Sequence, residues 1–128
     1  MNLLLLSAWA LSVALGQDDP LATYRWKSRV LLVFAPRADA PALAEQRRFI
    51  EKQKAGVQER DLVVLELTSG AKAETLRRQF AVKPEEFRVI LMGKDGGEKL
   101  RKSAPIAPDE LFGLIDSMPM RQREARRP

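Results

Sequence analysis

The sequence contains no cysteine and no histidine. Without cysteine there can be no disulfide framework, no thiol nucleophile and no lipid-modified N-terminal cysteine. Without histidine there is no imidazole acid–base chemistry, and the two absences together remove the Cys/His metal sites. Most of the usual catalytic repertoire is thereby excluded, and no cofactor is expected. Long hydrophobic runs are equally scarce. The single one, Leu3 to Leu15, has thirteen residues without a charge and ends in Ala14-Leu15-Gly16, small residues at the positions a signal peptidase reads. It is shorter than the roughly 20 residues of a membrane-spanning helix. Residues 1–16 are therefore expected to be a signal peptide, with an exported chain, periplasmic or secreted, starting at Gln17 and carrying no transmembrane segment. The competing reading is a buried N-terminal helix or an uncleaved anchor.

The net charge of +5 lies entirely beyond residue 16. Arg121, Arg123, Arg126 and Arg127 against Glu124 place three of those five positive charges in the last ten residues. The remainder, RQREARRP, has almost no apolar content, so 119–128 reads as a mobile basic tail behind a domain over 17–118. A chain of roughly 110 residues can stand on one hydrophobic core without staples.

The stretch FRVILMGKDGGEKLR organises the rest. Phe87 and Val89 to Met92 run into Gly-Lys-Asp-Gly-Gly, and a basic strand, Glu98 to Arg101, follows at once. This predicts a β-hairpin in which Asp95-Gly96 supplies the positive φ of a primed turn and Gly93 and Gly97 leave room for a bulge. Val30 to Phe34 and Leu62 to Leu67 are apolar runs too short for helices, hence buried strands. Between them, Pro41 to Lys54 has helical spacing, with Leu43, Ile50 and Val57 at seven-residue steps and Gly56 as its end. Asp39 or Ala40 can cap it. Ala73 to Phe80 and Pro108 to Ser117 complete the helices, and Met118-Pro119-Met120 reads as a stop. The order β-α-β-α-β-β-α contains two crossover units and one hairpin. It predicts an α/β, thioredoxin-like domain, a mixed four-stranded sheet with flanking helices.

YRWKSRVLLVFAP, GKDGGEKLR and IDSMPMRQRE resemble the uncharacterised "domain of unknown function 4174" family over nearly all of the mature chain. The resemblance implies a thioredoxin-like fold, with relatives among exported bacterial single domains and animal extracellular-matrix and sushi-repeat proteins, and it implies no activity. FAVKPEEFRVILMGKDG is also similar to the stretch of thioredoxins that leads through their hairpin. The likeness stops at the functional points. Pro36-Arg37-Ala38-Asp39-Ala40 stands where a redox thioredoxin has its two cysteines, and Pro84 lies three residues before Phe87 rather than just ahead of the third strand. Both departures argue against disulfide exchange.

Three sets of residues are candidates for a site. Arg37 could hold an anion at a helix N-terminus while Asp39 caps that helix. Against it stands an ordinary loop, since no second catalytic partner is visible. Lys94, Lys99, Arg101 and Lys102, with Arg121 and Arg123 of the tail, could form an anion-binding strip. Lysines on an edge strand are, however, a common device against sheet-to-sheet association. Tyr24 and Trp26 beside Arg25 and Lys27 could stack bases or sugars, with packing against the body as the plainer reading. The leading expectation is an exported, catalytically inert interaction module for an extracytoplasmic protein or an anionic surface polymer. A Cys-free enzyme built on Arg37 and Asp39 and a polyanion-binding protein are the alternatives, and export disfavours nucleic acid.

Overall fold

The structure, a computed structural model, describes residues 19–127; the expected signal segment and its cleavage point lie outside the described residues. Its strands are β1 (Arg29–Phe34), β2 (Leu62–Leu67), β3 (Arg88–Met92) and β4 (Glu98–Lys102). The helices are α1 (Pro41–Lys52), α2 (Lys54–Glu59), α3 (Ala71–Phe80), α4 (Pro108–Asp116) and α5 (Pro119–Ala125). The sheet order is β2-β1-β3-β4. β1 is parallel to β2 and antiparallel to β3, which in turn pairs antiparallel with β4. This is the mixed four-stranded sheet that the order of apolar runs predicted.

All six residues of β1 are buried, because helices cover both faces of the sheet. Leu31 and Val33 point into a cluster with Leu43, Val57, Ile106, Leu111 and Ile115. Val30, Leu32 and Phe34 point the other way, against Ala73, Leu76, Phe80 and Val82, with Leu21 and Tyr24 at the margin. A large-to-small change in such a strand costs about 2–5 kcal/mol through lost burial and the cavity left behind. One polar side chain joins this core: Gln46 donates to the Ile106 carbonyl at 3.1 Å and accepts from the Ile106 amide at 2.8 Å, stitching the Pro-rich link onto α1.

Several details differ from the sequence-based expectation. Gly56 does not end a helix; it sits inside α2, where a Cβ would lie 2.8 Å from the Phe112 ring, so it is small to admit that ring. The hairpin turn is not primed. The Gly96 amide donates to the Gly93 carbonyl at 3.0 Å, and Gly96 at φ +83° takes positive φ while Asp95 does not. The register then slips by one residue between Leu91 and Met92, leaving Lys99 as the bulge. The segment read as a mobile tail is helical over Pro119–Ala125, with Arg121 buried. Pro119 stands in the first turn of that helix, a start signal as much as a stop.

Candidate functional site

The registers define two ends of the sheet. At the carboxyl ends of β1 and β2 lies the loop Pro36–Ala40, where a thioredoxin-like sheet presents its reactive groups. Here Arg37 Nε donates to Asp39 Oδ1 at 2.9 Å, with the two side chains 71% and 82% exposed. Asp39 does not cap α1. Ala40 occupies the N-cap, without a side-chain hydrogen bond. Below the loop, the buried Arg77 donates to the carbonyls of Ala35 at 2.8 Å and Thr68 at 2.9 Å, which ties the strand ends together. An exposed Arg–Asp pair at this mouth has no desolvated partner and is worth little energetically. Among the described residues no group of three or more acidic side chains could hold a metal ion.

At the opposite end, where β1 begins and the hairpin turns, charges are buried. Arg29 is 1% exposed and Lys94 8%. Arg29 grips the Glu124 carboxylate of α5 with two hydrogen bonds, Nη1 to Oε1 at 3.1 Å and Nη2 to Oε2 at 3.3 Å. Lys94 Nζ donates to the same carboxylate and to Asp61, both at 2.8 Å. Alongside, Arg60 forms a two-point pair with Asp116, stacks over the Phe112 ring at 4.1 Å, and shares Asp116 with Arg121. Arg121 also reaches Glu59 at 3.5 Å. Burial pushes the Glu124 carboxyl up, but hydrogen bonds from Arg29 and Lys94 outweigh it and hold it below the usual range. The Arg60 hydrogen bond, with Arg121 adding to it, lowers Asp116 against an opposing push from burial.

The six residues of the expected basic strip are therefore mostly engaged. Lys94, Lys99, Arg101, Lys102 and Arg121 each pair with a carboxylate, through Asp61 and Glu124, Asp95, Glu98, Glu110, and Asp116 and Glu59 respectively. Arg101 donates to the Phe80 carbonyl as well. Among the described residues, Arg123 alone of the six has no carboxylate within ion-pair distance. The residue that does stand out belongs to the aromatic pair Tyr24 and Trp26. Tyr24 packs against the second core cluster, but Trp26 is 62% exposed, the exposed large hydrophobic side chain of the described residues. Its backbone is held at φ +69°, in the left-handed region that bulky residues avoid. Its amide donates to the Lys94 carbonyl at 2.6 Å, and the Arg25 guanidinium lies over the indole at 5.6 Å. Arg25 itself lies over Gly96, where a Cβ would stand 3.3 Å from its Nε.

The family model described as Domain of unknown function (DUF4174) matches residues 20–124. "Coiled-coil domain-containing protein 80" of Danio rerio is 25% identical over 135 residues, covering 84% of this chain and 16% of that protein. The chain thus spans under a fifth of that relative's length. The reduced 2-Cys peroxiredoxin of Plasmodium vivax superposes with a TM-score of 0.67 at 14% identity, covering 80% of this chain and 72% of the peroxiredoxin. Thioredoxin-2 of a malaria parasite, described as a component of its protein secretion machinery, gives a TM-score of 0.55 at 25% identity, covering 71% and 84%. The fold is thioredoxin-like. The absence of cysteine excludes thiol-based redox catalysis in this chain.

Proposed function

The chain belongs to the family described as Domain of unknown function (DUF4174), and from that premise we propose that it is an exported, catalytically inert module that docks an extracytoplasmic protein through Trp26. The presentation of Trp26 carries the reading. A bulky residue in the left-handed region costs about 1–2 kcal/mol, which an exposed side chain does not recover by burial. The fold nevertheless braces this indole with a backbone hydrogen bond and an overlying guanidinium. Trp and Arg are the side chains that most often anchor protein interfaces, and a rigid aromatic loses little entropy on docking. Arg25 and Lys27 flank the ring, neither in an ion pair among the described residues, so the partner surface is one with an apolar recess rimmed by carboxylates.

Two further observations support a module. A related segment forms a small part of the longer Danio rerio protein, and the loop where thioredoxins react offers here only an exposed ion pair. Export rests on the Leu3–Leu15 run and its small-residue end, and N-terminal sequencing of protein from the producing cell should begin at Gln17. The docking claim is tested with the full chain as bait in its native envelope. Trp26→Asn, which suits the left-handed backbone, should lose the partner. The charge reversals Lys99→Glu and Arg101→Glu together should keep it. Retention by Trp26→Asn with loss in the double reversal would favour the polyanion reading instead.

A further inference from the structure

The geometry points to the open edge of β2 as a dimer seam, at which β2 of a second copy adds antiparallel across a two-fold axis. The two edges of the sheet are built differently. β4 carries Lys99, Arg101 and Lys102 and a bulge, the devices that blunt an edge. β2, LVVLEL, has no lysine, no proline and no bulge, and keeps six consecutive partners on β1. Its outward backbone row can be assigned. The Arg29 amide donates to Asp61 O at 2.9 Å and the Ala35 amide to Leu67 O at 3.1 Å, so in this parallel register the odd-numbered residues of β2 bond to β1. The N–H and C=O groups of Leu62, Val64 and Glu66 face the open side.

Beside that edge, on the α1 side, lies a groove of about 500 Å³ lined by Val33, Leu43, Ile50 and Val64, with Arg47 and Glu66 at its mouth. Val63, Val64 and Leu65 are only partly buried. In an antiparallel pair, residues directly opposite share a face. An axis through Val64 therefore sets Val64 against Val64 and Leu62 against Glu66 as hydrogen-bonded pairs, with Val63 facing Leu65 on the α3 side. The second copy suits this seam in charge. Arg47 donates twice to Glu66, at 2.8 and 2.7 Å, so the one charge that β2 carries enters the seam already neutralised. Two-fold pairing uses the one unprotected edge of each copy and closes the assembly at two.

Sedimentation of the purified full chain over a range of concentrations tests the seam. The expected result is a reversible monomer–dimer equilibrium. Val64→Pro removes an outward N–H that β1 does not use, so it should yield a folded monomer. Independently of any variant, hydrogen exchange on the wild type should show the Val64 and Glu66 amides protected at high concentration and exposed on dilution. A wild type that stays monomeric throughout overturns the proposal. So does a dimer that persists in Val64→Pro, open-ended aggregation, or an exchange pattern at these amides that ignores concentration.

Discussion

The two ends of the sheet invert what a thioredoxin-like scaffold leads one to expect. At the carboxyl ends of β1 and β2, where such folds do their chemistry, the loop side chains Arg37 and Asp39 are open to water and pair with each other. At the amino end of β1, Arg29 and Lys94 are buried around one carboxylate, and Trp26, just ahead of β1, is hydrogen-bonded to the hairpin turn at Lys94. The charges there are structural. They fasten α5, which has little apolar surface of its own, to the start of the sheet. They also fix the Lys94 carbonyl that receives the Trp26 amide. On the proposed reading, the site lies at the pole opposite the reactive mouth, where binding needs rigidity and no reacting group.

The contrast is sharpest in stability. Glu124→Gln leaves the buried Arg29 without its carboxylate and Lys94 with Asp61 alone, and should destabilise the domain by about 3 kcal/mol, since breaking a buried pair strands the other charge. Arg37→Ala, at the other pole, should shift it by no more than about 0.5 kcal/mol. Chemical denaturation of both variants measures the difference, and equal effects would break the comparison.

Acid should act on the same pole. Glu124 and Asp116 both titrate below their ordinary values in the folded chain. Their stabilisation is fully present above the unfolded carboxylate range, near pH 4 to 5, and is lost as pH falls through the lowered folded values. Hydrogen exchange should therefore show α5 opening first below about pH 4, while the Arg37 loop, with no buried pair to lose, changes little. In Glu124→Gln that acid step should shrink.

Gly96 offers a smaller and more local probe. It stands at φ +83° under Arg25, so Gly96→Val forces a β-branched side chain into the left-handed region and against the guanidinium that braces Trp26. A loss of about 1–2 kcal/mol is expected, together with a shift in indole fluorescence. An unchanged denaturation midpoint would show that the turn is free to rearrange. The smallest effect should come from Trp26→Asn. Asn tolerates that backbone and little burial is given up, so the midpoint should stay or rise slightly.

Much of the fold was legible because it is written in apolar periodicity. β2 spans Leu62–Leu67 as its run of side chains implies, and the hairpin and the order of crossovers follow from short apolar runs broken by Gly and Pro. The candidate site was far less legible. α5 escaped because its buried contacts are ionic: Arg121 and Glu124 look like solvent residues until Glu59 is placed beside the first and Arg29, 95 positions away, beside the second. Pro119 was the one local sign. Trp26 was read with Tyr24 as an alternating pair, and only the positive φ separates their fates. Likewise, the basic strip looked unpartnered because carboxylates as distant in sequence as Asp61 and Glu59 neutralise it through the fold.

The account turns on which pole meets the partner, and cross-linking reads that directly. A photoreactive aromatic residue placed at Lys27, next to Trp26, or at Ala38, in the Arg37 loop, would be carried on the full chain and irradiated in its native envelope. Both positions are exposed, so neither label disturbs the core. A covalent adduct from position 27 and none from position 38 is the expected result. An adduct from position 38 alone would return the site to the mouth where thioredoxins react, and would contradict the account.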